Sequence, residues 1–333
     1  MSIPTSILST EHLAAGYTGG HGKTEMRVLN DLNSSLKRGT MTCLIGRNGS
    51  GKSTLLRTLA GLQEPLAGQV YWQDQLLHRL SPVQRARRLS VVLTDRFQPA
   101  NMRGRELVAL GRHPHTSWRG HLSEEDHARI EEAMRQTECE SLADRLVATL
   151  SDGERQRIMI ARAIAQETDL LLLDEPTAFL DLPSGAHVFL LLRKLAYEKG
   201  YTILLCTHDL SLALDTADQF WLLESPDALH VGAPEDLVLQ GTLKRMFASE
   251  GITIDDSTTS MRLKYEQTGS VRVTAQNDER HCWLLHALRR RGYAEDEQAD
   301  LWISDQGDHW TWHAGNQTGT ARTIEDLMQA LPG

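Results

Sequence analysis

The chain has 333 residues, of which 40% are hydrophobic and 24% charged, and its formal net charge at pH 7 is −9. This length is enough for one large domain and a small one, and the composition is that of a globular protein. The acidic balance argues against a nucleic-acid partner, because such proteins carry a basic surface excess. The four cysteines (Cys43, Cys139, Cys206 and Cys282) form no close pair and predict buried, reduced thiols rather than disulfides or a zinc site.

The start of the chain and its apolar runs bear on how it relates to a membrane. The first ten residues contain neither the basic segment nor the apolar segment of a secretion signal. The longest apolar runs are far shorter than the roughly 20 residues that cross a bilayer. We therefore expect any role in membrane traffic to be exercised from the cytosol through a partner.

The first buried strand that the sequence predicts, Met41–Ile45, leads into a glycine-rich loop and then a helix. The loop has the pattern Gly-x-x-x-x-Gly-Lys-Ser and consists of Gly46, Arg47, Asn48, Gly49, Ser50, Gly51, Lys52 and Ser53. Glycines let successive N–H groups turn towards phosphate oxygens, and the helix start adds positive potential. Lys52 is expected to reach the β- and γ-phosphates and Ser53 to bind Mg²⁺. The loop therefore predicts a nucleoside triphosphate site.

Residues 104–166 are predicted to be mostly helical and inserted between strands of the core. Ser123 has the form of a capping residue that opens an amphipathic helix to about Thr137. A second capping box, formed by Ser151, Asp152, Gly153 and Glu154, opens a helix to about Gln166. A helix start that contains glycine also attracts anions, so this element can face a phosphate. A chain with one complete phosphate loop has no need of another, and we expect the second element to face the nucleotide of a second copy.

Two further buried strands end in polar residues. Leu170–Leu173 leads into Asp174 and Glu175, and Thr202–Cys206 leads towards His208. A charge at the end of an apolar strand is costly unless a metal or a water requires it. Asp174 is expected to hold Mg²⁺, and Glu175 to orient or deprotonate the attacking water. His208 is placed to contact the γ-phosphate and to respond to its loss.

Taken in order, these motifs resemble those of the ATPase subunits of ATP-binding-cassette (ABC) transporters over about residues 5–250. The elements so identified are the Walker A loop Gly46–Ser53 with Thr54, the signature Leu150–Glu154, the Walker B strand Leu170–Asp174 with Glu175, the D-loop Ala178–Asp181, the switch residue His208 and the adenine-stacking residue Tyr17. The fold that this resemblance implies is α/β, a P-loop NTPase core with an inserted helical subdomain and an antiparallel β subdomain. The implied cofactors are ATP and Mg²⁺, and Asp181 and the signature residues are implied to contact the nucleotide.

A finer resemblance is to the importers of ferric siderophores, haem and cobalamin. The segments that carry it are Arg105–His115 and Leu150–Gln156, together with the length of the helical insertion. It implies a homodimer with two ATP molecules at its interface, located peripherally on the cytoplasmic face of the inner membrane. It also implies that the dimer drives integral membrane permease subunits, with a substrate-binding protein as an indirect partner.

Two positions depart from the pattern of the family. Asp95 stands where the family has the glutamine of the Q-loop, and a carboxylate there is able to contact Mg²⁺. Gln98 is the alternative for this role if the loop is shifted. Asp152 replaces the first glycine of the signature, whereas Ser151 and Gly153, the expected phosphate contacts, are kept.

Beyond the ATPase region the composition predicts a small separate domain. We divide the chain into residues 1–254, a polar linker at 255–260 and a small α+β domain at 261–333. The elements predicted in this tail are the strands Met261–Glu266, Val271–Thr274, Leu301–Ser304 and Trp310–His313, a helix from Asn277 or Asp278 to Arg291, and a helix from Thr323 to Leu331. No catalytic motif occurs there, which leaves dimer stabilisation or regulation as candidate roles. The spacings of the histidines match no common metal site, so we expect them to be exposed or packed.

Other functions within the superfamily are alternatives to import of these chelates. Translation factors normally carry two cassettes in one chain, and this chain has one. DNA-repair ATPases separate their Walker motifs with long coiled coils, whereas Lys52 and Asp174 are only 122 positions apart. A regulatory subunit without turnover would not require Glu175. An ABC subunit for another substrate is a further alternative.

Overall fold

The computed structural model describes residues 6–18, 25–94, 99–116, 120–247, 252–254, 261–263 and 265–331. The chain divides into two compact units, Met1–Leu243 and Lys244–Gly333. The linker predicted at 255–260 lies outside the described residues, so the domain boundaries given above stay a prediction. No helix in the described ranges is long and apolar enough to cross a membrane.

The first unit is built on two sheets and a set of helices. Its strands are β1 (Ser6–Tyr17), β2 (Met26–Lys37), β3 (Met41–Gly46), β4 (Ala67–Trp72), β5 (Gln75–Leu76), β6 (Leu89–Val92), β7 (Leu170–Asp174), β8 (Thr202–Cys206), β9 (Gln219–Ser225) and β10 (Ala228–Gly232). Its helices are α1 (Lys52–Leu59), α2 (Pro82–Ala86), α3 (Gly104–Ala109), α4 (Glu124–Gln136), α5 (Asp152–Ala165), α6 (Leu182–Lys199), α7 (Leu210–Thr216) and α8 (Pro234–Leu239), and α9 (Thr242–Phe247) crosses into the second unit.

The central sheet has six strands in the order β10-β9-β3-β8-β7-β6. All its pairings are parallel except that of β10 with β9. Every residue of β3, β7 and β8 is buried, which explains why these strands read as unbroken apolar runs. The three strands predicted from the sequence are confirmed and lie side by side. Their carboxyl ends therefore meet at one edge of the sheet, where α/β folds bind ligands.

The antiparallel sheet of the first unit has the order β2-β1-β4-β5. Its inner side contributes Ile7, Leu29 and Trp72 to the same apolar cluster as Leu55 of α1 and Leu172 of β7. The sheet is thus fixed to the core that carries the phosphate loop. The predicted antiparallel β subdomain is confirmed, and its strand β1 ends at Tyr17.

The insertion between β6 and β7 is helical, as predicted. Ser123 caps α4 and Ser151 caps α5, each with a reciprocal capping box. A buried ion pair fixes the packing of these helices, because Arg112 Nε donates to Asp126 Oδ1 at 2.8 Å and Arg112 Nη1 donates to the carbonyl of Ala165 at 2.8 Å. Arg112 and Asp126 are both buried, so neither charge can be left unpaired at low cost.

The second unit contains a five-stranded sheet with the order β14-β13-β15-β16-β17 and a two-stranded sheet of β11 and β12. Its strands are β11 (Ile252–Ile254), β12 (Met261–Leu263), β13 (Gly269–Thr274), β14 (Tyr293–Glu295), β15 (Leu301–Asp305), β16 (Trp310–Ala314) and β17 (Gln317–Ala321), and its further helices are α10 (Asp278–Arg290) and α11 (Ile324–Ala330). A core of its own forms from side chains that include Val271, Leu284, Ile303, Trp312 and Leu327. The small α+β domain is therefore confirmed as a fold.

Three details of the tail differ from the sequence expectation. The first strand ends at Leu263 rather than Glu266, and the strands β14 and β17 were not predicted. β14 is three residues long and β17 is mostly polar, so neither gives an apolar signal. The fourth cysteine is also a correction: Cys43, Cys139 and Cys206 are buried free thiols, but Cys282 is exposed.

Candidate active site

The phosphate loop joins the buried strand β3 to α1. Gly49 and Gly51 have left-handed backbones, with φ of +78° and +104°. A β-carbon on Gly51 would lie 2.7 Å from a methyl group of Val28 and 2.9 Å from one of Leu29, so only glycine fits where the loop meets β2. The Lys52 ammonium is buried and donates to the carbonyls of Gly46 at 2.8 Å and Arg47 at 3.1 Å. The loop thus holds its cation folded against its own backbone, at the position where a phosphate chain would bind.

A cavity of about 320 Å³ opens over this loop. Its lining includes Tyr17, Asn48, Gly49, Lys52, Thr54 and Glu175. This volume lies within the usual range for small-molecule sites. The cavity brings the predicted aromatic residue, the phosphate loop and the second Walker B carboxylate to one place.

The first turn of α1 is joined to the end of β7 by a direct hydrogen bond. Ser53 Oγ donates to Asp174 Oδ1 at 3.1 Å. Asp174 is only 4% exposed, and burial raises the pKa of its carboxyl, with the Ser53 hydrogen bond acting in the opposite direction. A hydroxyl and a buried carboxylate form an oxygen donor set that suits Mg²⁺, which keeps its remaining positions for water and phosphate. The pair therefore fits the metal predicted for it.

Glu175 occupies a strained backbone position next to Asp174. Its φ is +47°, and its N–H donates to the carbonyl of Cys206 at 3.0 Å, which ties β7 to β8 beyond their last paired residues. His208, just past β8, places its Nδ1 at 3.9 Å from Glu175 Oε2. The histidine side chain is 61% exposed, whereas that of Glu175 is 28% exposed. The carboxylate is thus partly shielded, and a more exposed imidazole lies next to it.

Tyr17 stands at the end of β1 beside the start of α1. Its hydroxyl is 3.2 Å from Thr54 Oγ1, and the residue is 48% exposed. A half-exposed ring on the rim of the cavity offers a flat apolar surface, which is what a stacking base requires. The contact of Tyr17 with adenine stays a prediction.

The signature residues lie at the start of α5. Ser151 Oγ accepts from the N–H of Glu154 at 3.2 Å, and the N–H of Ser151 donates to Glu154 Oε2 at 2.9 Å. Ser151, Gly153 and Glu154 line a separate cavity of about 280 Å³ together with Ser184 and His187 of α6. Within one chain Ser151, Gly153 and Glu154 are therefore not part of the phosphate-loop cavity, whereas Asp152 lines a further cavity together with Glu175.

Comparison with known protein families identifies the chain. Residues 29–178 match the ABC transporter family, and residues 268–332 match the family described as the iron ABC transporter C-terminal domain. An ABC transporter ATP-binding protein of Methanocaldococcus jannaschii is 42% identical over 72% of this chain and 81% of its own length. The chain belongs to the ATP-binding subunits of ABC transporters. As such, this ABC subunit binds ATP and hydrolyses it for transport, and the second family match makes the transporter one of the iron type.

Further relatives carry more specific names. The achromobactin transport ATP-binding protein of Dickeya dadantii is 39% identical, over 73% of this chain and 88% of its own. The iron(3+)-hydroxamate import ATP-binding protein of Bacillus subtilis is 36% identical, over 76% of this chain and 92% of its own.

Solved structures agree with the fold of the ABC subunit. A transporter described as being of the metal-chelate ABC type, in an inward-facing conformation, aligns with a TM-score of 0.62 at 29% identity over 73% of this chain and 89% of its own. The dimeric structure of a bacterial ABC transporter cassette aligns with a TM-score of 0.59 at 26% identity, over 68% of this chain and 98% of its own. ABC ATPase subunits dimerise and pair with permease subunits, and the P-loop fold with a separate C-terminal domain is confirmed.

The D-loop of the ABC subunit runs from the Walker B residues to α6. Asp181 caps α6, because its Oδ1 accepts from the N–H of Ser184 at 3.0 Å. Hydrogen bonding to the Ser184 side chain, and then to its backbone N–H, lowers the pKa of the Asp181 carboxyl. Phe179 has a left-handed backbone with φ of +73° and is 64% exposed. The cap fixes the position of Asp181, but a contact of that residue with nucleotide stays a prediction.

Sequence reasoning missed one residue of this site. Thr94, after β6, donates from its hydroxyl to the backbone carbonyl of Asp174 at 2.8 Å. The contact anchors the Walker B end of β7 to the segment where the Q-loop begins. Asp95 and Gln98, the two candidates for the Q-loop role, lie outside the described residues. The predicted contact of Asp95 with Mg²⁺ therefore stays a prediction. Among the described residues no group of three or more histidine, cysteine, aspartate or glutamate side chains is arranged to hold a metal ion.

Proposed function

We propose that the ABC subunit drives the import of a ferric siderophore. The match of residues 268–332 to the iron ABC transporter C-terminal domain supports this cargo class, as do relatives named for achromobactin and iron(3+)-hydroxamate transport. The ferric enterobactin transport ATP-binding protein of Escherichia coli, 38% identical over 77% of this chain and 92% of its own, is a further relative named for an iron chelate. The proposal places the subunit on the cytoplasmic face of the inner membrane, where it receives no cargo itself. A substrate-binding protein would deliver the chelate to the permease.

The proposed working unit is a dimer of this chain with two ATP molecules at its interface. Each ATP is bound by the phosphate loop of one copy and completed by the signature of the other. The observation that supports it is the separation of the two cavities within one chain, one holding Lys52 and Glu175 and the other Ser151 and Gly153. The start of α5, with Ser151 as its cap and Gly153 in its first turn, is a place where a helix can bind an anion. In the proposed dimer that anion is the γ-phosphate of the ATP bound to the other copy. We propose no role for nucleic acid.

The chemistry assigns a task to each residue of the phosphate-loop site. Lys52 and the loop N–H groups bind the phosphate oxygens and offset the charge that develops on them. Ser53 and Asp174 hold Mg²⁺, which supplies further charge neutralisation when it is bound. Glu175 accepts a hydrogen bond from the attacking water and takes its proton as the water oxygen bonds to the γ-phosphorus. The bond between the γ-phosphorus and the β–γ bridging oxygen breaks, and ADP leaves with that oxygen. His208, whose imidazole lies next to Glu175, contacts the γ-phosphate.

Glu175→Gln tests the hydrolytic assignment. The amide keeps the shape but cannot take a proton, so phosphate release should fall about 100-fold or more. Formation of dimers with ATP, measured by gel filtration with Mg²⁺ and ATP, should persist in this variant. Glu224→Gln, a change at the exposed end of β9, is the matched control and should keep wild-type turnover. Turnover by Glu175→Gln within twofold of the wild type would contradict the role of Glu175 as the base that takes the proton of water.

The cargo is tested by uptake in the native host. A strain that lacks the subunit should lose accumulation of radioiron from one siderophore class, supplied as separate hydroxamate, catecholate and carboxylate chelates. The intact gene should restore uptake, and the Glu175→Gln variant should not. Haem and cobalamin serve as parallel arms. Loss confined to haem or cobalamin would replace the siderophore by that ligand, and unchanged uptake in every arm would contradict the iron-chelate proposal.

A further inference from the structure

The start of α5 carries negative charge at the place where the proposed dimer would bring a phosphate. Its first turn carries two carboxylates, Asp152 and Glu154. In the proposed function this turn faces the γ-phosphate of the partner copy's ATP, a group that bears several negative charges. Two uncompensated carboxylates there would repel the phosphate and occupy the positive end of the helix dipole in its place.

Each of these carboxylates has an arginine partner within the same chain. Asp152 forms an ion pair with Arg155, three residues further along the same helix. Glu154 pairs with Arg145, whose Nη1 lies 2.6 Å from Glu154 Oε1. The two pairs differ in kind. Arg155 is a local neighbour on α5, whereas Arg145 comes from the segment before the helix.

Arg145 is fixed on several sides. Its Nη2 donates to the carbonyl of Thr149 at 3.3 Å, and its backbone carbonyl accepts from the N–H of Gly104, the first residue of α3, at 3.0 Å. The other oxygen of Glu154 accepts from the N–H of Ser151 at 2.9 Å. The carboxylate is therefore held back on the capping turn, and the guanidinium covers one of its oxygens. Hydrogen bonding to Ser151 and pairing with Arg145 both lower the pKa of Glu154, which stays charged and in need of its partner.

We propose that Arg145 is a positioning residue for ATP hydrolysis across the dimer. It offsets the charge of Glu154 and holds one oxygen of that carboxylate while the other accepts from the N–H of Ser151, which leaves the Ser151 hydroxyl and Gly153 to meet the γ-phosphate of the partner copy. Because Arg145 also supports the first residue of α3, it links the phosphate-facing turn to another helix of the insertion. This inference rests on the proposed two-copy arrangement.

A purely structural role for Arg145 makes a different prediction. In that case the arginine side chain is needed whatever stands at position 154, because its guanidinium holds the carbonyl of Thr149 in place. In the electrostatic role the arginine is needed only while position 154 is charged. Glu154→Gln separates the two, since its side-chain oxygen can still accept from the N–H of Ser151 but carries no charge. The double variant, Arg145→Ala with Glu154→Gln, distinguishes the two roles, because it lacks both the arginine and the charge at position 154.

The test compares Arg145→Ala, Glu154→Gln and the double variant, each with and without Glu175→Gln. In the Glu175→Gln background, the ATP concentration for half-maximal dimerisation should rise about tenfold in Arg145→Ala, as expected for an uncompensated charge. ATP binding to the isolated subunit should be unchanged, because Arg145 is not part of the phosphate-loop cavity. The double variant should return to within about threefold of Glu154→Gln. Arg135→Ala, which removes an exposed ion pair with Glu132 on α4, is the matched control and should dimerise like its parent.

Salt gives a second readout. Repulsion between Glu154 and the γ-phosphate is screened by ions, so the defect of Arg145→Ala should shrink between about 0.05 M and 0.5 M NaCl. A double variant as defective as Arg145→Ala, with the same defect at high salt and a lowered melting temperature, would overturn the proposal in favour of a structural role. Normal dimerisation of Arg145→Ala would overturn it as well. Failure of Glu175→Gln itself to dimerise with ATP would instead overturn the two-copy function on which the inference depends.

Discussion

The Ser53 hydroxyl donates to the Asp174 carboxylate at 3.1 Å and so joins the first turn of α1 to the end of β7. The two residues are 121 positions apart and come from the two Walker motifs. Their contact joins the phosphate loop and the acidic strand end into one hydrogen-bonded unit. A metal bound there would meet donors that are already in place, so little reorganisation is required.

Asp174→Asn should weaken the binding of Mg²⁺, because it removes the carboxylate charge that we expect to hold the ion. We expect Mg²⁺-dependent phosphate release to fall by about 100-fold or more, with ATP binding in the absence of Mg²⁺ retained. The measurement is phosphate release over a MgCl₂ titration. Asp169→Asn, an exposed carboxylate just before β7, is the control and should titrate like the wild type. An Asp174→Asn variant with an unchanged Mg²⁺ response would refute the assignment.

Tyr17→Ala should weaken ATP binding through loss of a stacking surface. Base stacking on an aromatic ring contributes about 1–3 kcal/mol, so the Kd for ATP should rise roughly tenfold, as measured by isothermal titration calorimetry. Tyr17→Phe keeps the ring and loses only the contact with Thr54, so its Kd should stay within about threefold of the wild type. A Phe variant as weak as the Ala variant would show that the hydroxyl, and not the ring, carries the interaction.

The sequence was informative where the chemistry is local. The phosphate loop, the capping boxes at Ser123 and Ser151 and the three buried strands follow from short-range rules, and the structure has them where they were expected. The hydrogen bond from Thr94 to Asp174 joins residues 80 positions apart, and nothing in the local pattern of either residue indicates the other. The strands β14 and β17 were missed for a different reason, since each is short or polar and is specified by its neighbours in the sheet.

The contact between Arg145 and Glu154 illustrates the same limit at shorter range. The two residues are nine positions apart, too far for a helix neighbour, and they meet only because the intervening chain forms a single short turn before α5. The capping box at Ser151 was visible in the sequence, but which cation covers its glutamate was not. Tyr17 is a third case, because only the family resemblance predicts that it contacts adenine, whereas its place at the cavity over the phosphate loop depends on the pairing of β1 in its sheet.

Arg112→Ala should destabilise the first unit strongly. The variant leaves Asp126 buried without its cation, a change that typically costs about 3–5 kcal/mol of the free energy of unfolding. Urea denaturation followed by circular dichroism at pH 7 measures it. Arg135→Ala, which breaks an exposed pair, should cost less than about 1 kcal/mol. Equal losses in the two variants would contradict the role given to the buried pair.

The same pair predicts a dependence on pH. Hydrogen bonds from Ser123, followed by the pairing with Arg112, lower the pKa of Asp126 to about 2 from 3.8. A carboxyl whose pKa is lower in the folded state stabilises the fold above its unfolded pKa and loses that contribution as the pH falls through the folded pKa. The advantage of the wild type over Asp126→Asn should therefore be constant above about pH 5 and shrink towards pH 2. An advantage that grows on acidification would have the wrong sign.

Asp305→Asn should destabilise the second unit and leave ATP hydrolysis intact. The buried Asp305 carboxylate accepts from Arg280 Nε at 2.6 Å and Arg280 Nη2 at 2.8 Å, and that guanidinium lies 4.6 Å from the ring centroid of the core residue Trp310. An amide cannot reproduce the bidentate pair, so the thermal midpoint followed by tryptophan fluorescence should fall by about 5 °C or more. Because the phosphate-loop cavity lies wholly in the first unit, phosphate release at 25 °C should match the wild type. Asp308→Asn, whose side chain is exposed, is the control and should change neither quantity. Loss of hydrolysis in Asp305→Asn at a temperature where both units are folded would mean that the second unit acts on the ATPase directly.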